Sequence, residues 1–323
     1  MNNLKFPILF LLTLLPSELI HGQRENKFFR KDYTYIESTE SFYKIHTLFK
    51  KWVDAKKTCE MEGATFFYPD DKFEFDAVTT YWNTTQPFEW ISIGISAQMA
   101  KGVFETVDGV SIMDVYNKWK PGEPNDSHNN EDCVVIHRND GLMNDDDCAK
   151  SFPFICKKTL ASLEWNVNCD IPNTDYAYSD VLGRCYKMYL TPMTWSEAYR
   201  VCSADQSYLA IINTKEEADH LVNMTRLAPK DKVRGKYLAG AVFLGFHNKN
   251  KDGWTTIKGG ALDNSGYTQW GNGQPDGGDK ELCGSMFYNG QLNDISCTQT
   301  CLFICEHDVS STFDERFADL EQE

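Results

Sequence analysis

Residues 123–125 read Glu-Pro-Asn, residues 131–133 read Glu-Asp-Cys, and residues 144–148 read Asn-Asp-Asp-Asp-Cys. Within this stretch Glu123, Asn125, Glu131, Asn144 and Asp145 are five side chains that offer oxygen, held near one another if Cys133 and Cys148 bond. Ligands that are all oxygen and partly anionic, without imidazole or thiolate, suit a hard cation of the calcium type. If the Glu123-Pro124 bond is cis, which an X-Pro bond adopts at little cost, the flanking side chains turn their carbonyl oxygens toward one point. The stretch therefore reads as a calcium site built on a loop.

Outward from it, the chain repeats itself. Asp32, Tyr33, Tyr35, Tyr43, Lys44, Trp52, Ala55 and Cys59 recur 143 positions later as Asp175, Tyr176, Tyr178, Tyr186, Lys187, Trp195, Ala198 and Cys202. Trp119, Cys133, Asn144, Asp145, Cys148 and Cys156 recur as Trp270, Cys283, Asn293, Asp294, Cys297 and Cys305, the offset drifting only from 151 to 149. Such agreement means one fold used twice, with the link between copies at 157–168. Each copy opens with a short strand (42–46, 185–189) and a helix (52–61, 195–204) whose Trp, Ala and Cys share one face. Thr194 and Glu197 have the spacing of a capping box. A second helix is expected at 72–82 and 214–224, then an apolar strand at 90–95 and 238–246. A long irregular stretch follows before strands return around Cys133 and at 152–156. A loop of that length in a compact domain is functional or disordered, and the cysteines around it argue for function.

Residues 1–22 read as a secretory signal, with Lys5, an apolar run from Phe6 to Leu15 and the ending Ile20-His21-Gly22. That run is too short to span a bilayer, and no later segment supplies eighteen apolar residues in succession. A secreted, extracellular protein with no transmembrane segment is expected, its remaining 300 or so residues filling two domains. Eleven cysteines then point to disulfides. The net charge of −15 argues against nucleic acid as a partner. Nucleophile elbow, zinc signature and phosphate-binding Gly loop are all missing from the sequence, so an enzyme is not expected.

The run Trp52-x-x-Ala55, Cys59, Trp90-x-x-x-Gly94, Trp119-Lys120-Pro121-Gly122-Glu123-Pro124-Asn125, Glu131-Asp132-Cys133, Asn144-Asp145, Cys148 and Phe154-Ile155-Cys156 resembles a C-type lectin domain. The tandem pair with its Asp-Tyr-x-Tyr opening resembles the secreted dual-domain insect lectins, the immulectins. The resemblance implies an α+β fold of two tandem domains, 23–158 and 159–308, before an acidic tail at 309–323. Each would carry two helices, small antiparallel sheets and a long disulfide-pinned loop for calcium and sugar. It implies the pairs Cys59–Cys156, Cys133–Cys148, Cys202–Cys305 and Cys283–Cys297, with Cys169–Cys185 closing an N-terminal hairpin in the second domain. Cys301 is left over where the first copy has Phe152. It reads as a buried free thiol, the alternative being a bridge that makes a homodimer.

The same resemblance assigns Ca2+ to Glu123, Asn125, Glu131, Asn144 and Asp145, the first four also touching sugar, with the Glu-Pro-Asn order of mannose binders. In the second copy it assigns metal to Gln274, Asp276, Glu281, Asn293 and Asp294, and sugar to Gln274, Asp276, Glu281 and Asn293. Gln-Pro-Asp goes with galactose in the family, but the 276–283 loop has no aromatic residue to stack on that sugar. Met143 and Leu292 replace the usual Trp before Asn-Asp and read as core. The family's auxiliary calcium site is not expected in the first copy, where Ala97 and Lys101 stand, so Asp126 and Asp132 read as solvated surface. In the second copy Asn248 and Asp252 are better placed for it, but Gly277 and Leu282 leave the set incomplete. Sequons at Asn83 and Asn223 are expected to carry glycans; that at Asn125 is not, because a glycan there would remove a ligand. The function implied is a secreted, calcium-dependent pattern-recognition lectin for microbial glycans in a haemolymph-like fluid. The alternative is a calcium-independent module of the same fold that binds protein or lipid.

Overall fold

Trp52, Ala55 and Cys59 are buried along one face of helix α1 (Trp52–Met61). Trp195, Ala198 and Cys202 do the same on α3 (Trp195–Ala204). Each indole also donates into the sheet, from Trp52 to the Ile93 carbonyl at 2.8 Å and from Trp195 to the Leu244 carbonyl at 2.9 Å. A buried Trp thus gains a partner for its one polar atom while fixing how the helix sits. α2 (Lys72–Thr85) and α4 (Lys215–Leu227) start where Asp71 and Thr214 accept the backbone N–H groups of Glu74 and Glu217. Both run three residues past their expected ends. The capping box of Thr194 and Glu197 is present on α3, whereas Lys51, in the N-cap position ahead of α1, makes no side-chain cap. The structure, a computed structural model, describes residues 28–233 and 235–309. The signal expected at 1–22 and the tail from 310 onward lie outside the described residues.

In the first copy Ser41–Lys51 pairs antiparallel with Ser151–Thr159, and Trp90–Ser96 pairs antiparallel with Cys133–His137, which pairs with Met143–Asp146. The second copy repeats this with Arg184–Met193, Cys301–Asp308, Ala241–His247, Cys283–Phe287 and Leu292–Ile295. A short parallel contact, Ser92 beside Phe154 and Phe243 beside Phe303, joins the small antiparallel sheets into one eight-stranded sheet per copy. The strand expected at 238–246 begins only at Ala241, because Gly240 takes φ +100° and Leu238 bonds instead to Thr300. The strand expected to end at Cys156 runs on to Thr159, since Lys157 and Lys158 pair with Tyr43 and Phe42, so the link is shorter than 157–168. Gly94 and Gly245 lie against another strand so closely that a Cβ would sit 2.3 Å from the Phe66 carbonyl oxygen and 2.2 Å from that of Leu209. That contact is why the Trp-x-x-x-Gly spacing ends in glycine.

Five disulfides hold the copies: Cys59–Cys156, Cys133–Cys148, Cys169–Cys185, Cys202–Cys305 and Cys283–Cys297. Cys301 is a free thiol, fully buried, and burial pushes its pKa up to about 12. A bridge to a second chain through this sulfur would require the core to open. Met143 and Leu292 are core residues. Among the described residues no helix is long and apolar enough to cross a membrane.

The copies meet through the segment ahead of the first sheet. Lys31 donates its backbone N–H to the Ala204 carbonyl at 3.0 Å, and the buried Arg30 guanidinium pairs with the buried Asp205 carboxylate. Asp205 also accepts from Tyr189, from Tyr176 at 3.3 Å and from Asn173 at 3.2 Å.

Candidate functional site

The loop that follows Trp119 is laid beside the Met143–Asp146 strand by a bridge between Trp119 and Met143, with the Lys120 N–H donating to the Met143 carbonyl at 2.9 Å. This sets Glu123 and Asn125 against Asn144 and Asp145. The Asp145 carboxylate, wholly buried, accepts the backbone N–H groups of Asn125 at 3.1 Å and Asp126 at 2.8 Å. It thereby pins the chain just after the cis Glu123-Pro124 bond. Glu131 accepts from the Ser127 N–H at 2.9 Å while its own N–H donates to Asp126 at 3.1 Å, closing the turn between them. The Asn144 side chain donates to the Asp145 carbonyl. One buried oxygen, Oε2 of Glu123, has no hydrogen-bond partner. Burial, together with the nearby Asp145 and Glu131 carboxylates, raises the Glu123 pKa above its ordinary value.

The second copy builds the same frame. Trp270 bridges Leu292, and the Asp276 and Gly277 N–H groups donate to Asp294 at 3.1 and 2.9 Å behind a cis Gln274-Pro275 bond. Here Oε1 of Gln274 is the buried oxygen without a hydrogen-bond partner. Asp276, Glu281 and Asp294 each bring a carboxylate oxygen within 4.8 Å of the others. Among the described residues Glu123, Glu131 and Asp145 do not gather into a triad at that spacing. Gly277 explains the difference, since a Cβ on it would fall 2.2 Å from Glu281 Cγ, and its absence lets Glu281 fold over the loop. Burial, then Asp294 and Asp276, push the Glu281 pKa up. Asn293 donates to Ser285 Oγ at 2.9 Å, whereas Val135 stands opposite Asn144 in the first copy and offers no such partner.

Three side chains gain a role that the sequence reading did not give them. Lys101, named in the sequence only as standing where the auxiliary calcium site is not expected, places its ammonium 2.7 Å from Asp126 and 3.0 Å from Asp132, so these two acids are ion-paired rather than merely solvated. Lys251 does the same for Asp279 at 3.0 Å. Both lysines follow the end of the same strand in their copies, which is the signal that marks them. Ser285 is the third, and only the cross-strand register reveals it. His46, Glu62 and Cys156 also come within 4.8 Å of one another, but Cys156 is in a disulfide and Glu62 is taken by Lys44 and Tyr33. The sequon residues Asn83 and Asn223 are exposed on α2 and α4, their side-chain oxygens accepting from Arg138 at 2.9 Å and Arg226 at 2.8 Å.

The Lectin C-type domain family model matches residues 49–158 and 191–307. The hemolymph lipopolysaccharide-binding protein of Periplaneta americana is 40% identical over 134 residues, 41% of this chain and 51% of its own length. The hepatic lectin of Gallus gallus is 28% identical over 140 residues, 43% of this chain and 60% of its own. The chain thus spans about half the length of the first of these relatives and less than two thirds of the second. Among solved structures, the carbohydrate-recognition domain of the mouse scavenger receptor C-type lectin is 25% identical, covering 42% of this chain and 96% of its own, with a TM-score of 0.35.

Proposed function

The chain belongs to the C-type lectin family, and from that membership we propose that it is a calcium-dependent carbohydrate-binding protein with one sugar site in each copy. The observation that carries this reading is the pair of orphaned oxygens. Glu123 Oε2 and Gln274 Oε1 hold the same place in the two loops, and both are buried without a hydrogen-bond partner. A buried polar atom left unpaired is costly, and crowding it with carboxylates makes it costlier unless a cation belongs there. The donor set fits such an ion: oxygen only, with carboxylates and amides mixed.

Glu123, Asn125, Glu131, Asn144 and Asp145 would hold the ion in the first copy, and Gln274, Asp276, Glu281, Asn293 and Asp294 in the second. A bound calcium ion supplies open positions to which two adjacent sugar hydroxyls add. Around it Glu123 and Glu131 accept the hydroxyl protons, and the Asn125 and Asn144 amides donate to the hydroxyl oxygens. The Glu-Pro-Asn order favours mannose-type sugars. Reversing the acid and amide ends, as Gln274 and Asp276 do, favours galactose-type sugars in the second copy, where Ser285 already holds one donor of Asn293. The lipopolysaccharide-binding name of the Periplaneta relative supports microbial surface glycans as the target and an extracellular fluid as the setting. Two linked sites would add avidity on a repetitive surface. Glycans are assigned to Asn83 and Asn223 and not to Asn125.

Calorimetric calcium titration, with mannan and galactose columns run beside an EDTA control, tests the reading. One ion per copy and chelator-reversible retention are expected. Glu123→Gln combined with Asn125→Asp should abolish mannan retention while leaving the second site's ion bound. Retention that is equal with and without calcium would instead favour a calcium-independent module for protein or lipid.

A further inference from the structure

A cleft of about 910 Å³ runs between the two copies and shares no residue with either loop. Its size lies within the range of small-molecule sites. Lys50, Lys51 and Lys57 line it from the first copy and Lys232 from the second, with two acids, Asp54 and Glu60, in the same walls and Glu197 of the second copy near enough to Lys50 to feel its charge. Glu60 is already paired with Lys56 at 3.9 Å. Among the described residues none of the four lining ammonium groups is ion-paired, in a chain whose net charge is −15. The same walls carry Phe49, Met61 and Leu190, with Phe49 56% exposed and its neighbour Leu48 66% exposed.

The repeat provides an internal comparison. Leu48-Phe49-Lys50-Lys51 stand where the second copy has Thr191-Pro192-Met193-Thr194, so the fold itself does not call for two apolar residues followed by two lysines. Thr194 caps α3, whereas Lys51 leaves α1 uncapped and puts a cation at the positive end of the helix, the reverse of what its dipole favours. Local stability is given up at the residues that line the cleft, as happens where a site demands particular side chains. We propose that the cleft binds a single anionic amphiphile, a phosphate-type head held among the four lysines and its hydrocarbon chain laid on Phe49, Met61 and Leu190. Charge complementarity selects the head, and exposed apolar surface beside it selects the chain.

The full chain in EDTA is titrated by calorimetry with dodecyl phosphate below its micelle concentration, beside dodecyl maltoside and inorganic phosphate. The proposal expects one site for dodecyl phosphate, at least about tenfold tighter than for either control. Lys57→Glu with Lys232→Glu should weaken it about tenfold or more, and Lys51→Thr should weaken it severalfold. Lys51→Thr gives α1 the N-cap residue type that α3 has, with Asp54 standing where α3 has Glu197, so the substitution should not impair folding and its loss of binding reports on the cleft. Equal binding of maltoside, equal binding of phosphate, no binding in EDTA, or binding only to phosphatidylglycerol vesicles would each overturn the proposal. Calcium-dependent retention on mannan, measured on the same variants, should be unchanged, which separates this cleft from the sugar loops.

Discussion

Asp145 and Asp294 do one job in the two copies: each spends a buried carboxylate on two successive backbone N–H groups, and so fixes the course of the loop. What differs is the residue that follows the tripeptide. Asp126 has a side chain that Lys101 and the Glu131 N–H both use, while Gly277 has none and leaves room for Glu281. Gly277→Ala should therefore displace Glu281 and weaken calcium binding in the second copy about tenfold, on the order of 1.4 kcal/mol. Calorimetry on the variant should show the first copy's ion unaffected; equal weakening of both would disprove the assignment. Cys301 gives a second prediction at this scale. Its buried thiol, with a pKa near 12, should not react with Ellman's reagent in the native chain and should give one thiol per chain after denaturation. The chain should run as a monomer on a non-reducing gel.

At the scale of elements, the paired outer strands show a charge exchanged between copies. Lys157 in the first copy pairs with the buried Glu74 at 2.6 Å, and its counterpart in the second copy is Glu306, buried near Glu217. Ser41 is correspondingly replaced by Arg184, which reaches Glu306 at 2.8 Å, Glu217 at 3.4 Å and Asp308 at 3.4 Å. One guanidinium facing three carboxylates leaves Glu306 under-compensated, and burial with Glu217 pushes its pKa up to about 7. The folded state then keeps a proton that the unfolded chain has lost above the ordinary carboxylate range. That contribution is fully present below about pH 4.5 and disappears as pH rises through 7, amounting to about 3 kcal/mol. Denaturant unfolding between pH 5 and 8 should show this fall in stability, and Glu306→Gln should flatten it. A wild-type profile that rises over this interval, with no change in the variant, would refute the account.

For the whole molecule, the Arg30 and Asp205 pair matters most, because it buries opposite charges from the two copies against each other. Removing one partner of such a pair leaves the other charged and enclosed, at a cost of about 3 to 5 kcal/mol. Arg30→Met should therefore lower stability by that order and uncouple the copies, so that calorimetry resolves two unfolding transitions where the parent shows one. A variant that still melts as one unit would mean that the remaining contacts suffice. The coupling also bears on the interdomain cleft, whose walls come from both copies.

The sequence by itself determined that one fold is used twice, that its first helix buries a Trp, Ala and Cys face, and that oxygen-bearing side chains cluster after each X-Pro turn. These are properties of spacing, and spacing survives in a linear string. Disulfide connectivity came from resemblance, since cysteine count alone leaves the pairings open. Tertiary structure alone decided which carboxylates meet, because Gly277, Ser285 and Lys101 act across strands and loops that the sequence separates. It alone placed Arg30 inside the second copy and opened a lysine-lined cleft between the two. Such contacts depend on the relative placement of distant segments, and that placement comes from packing the sheets and helices together.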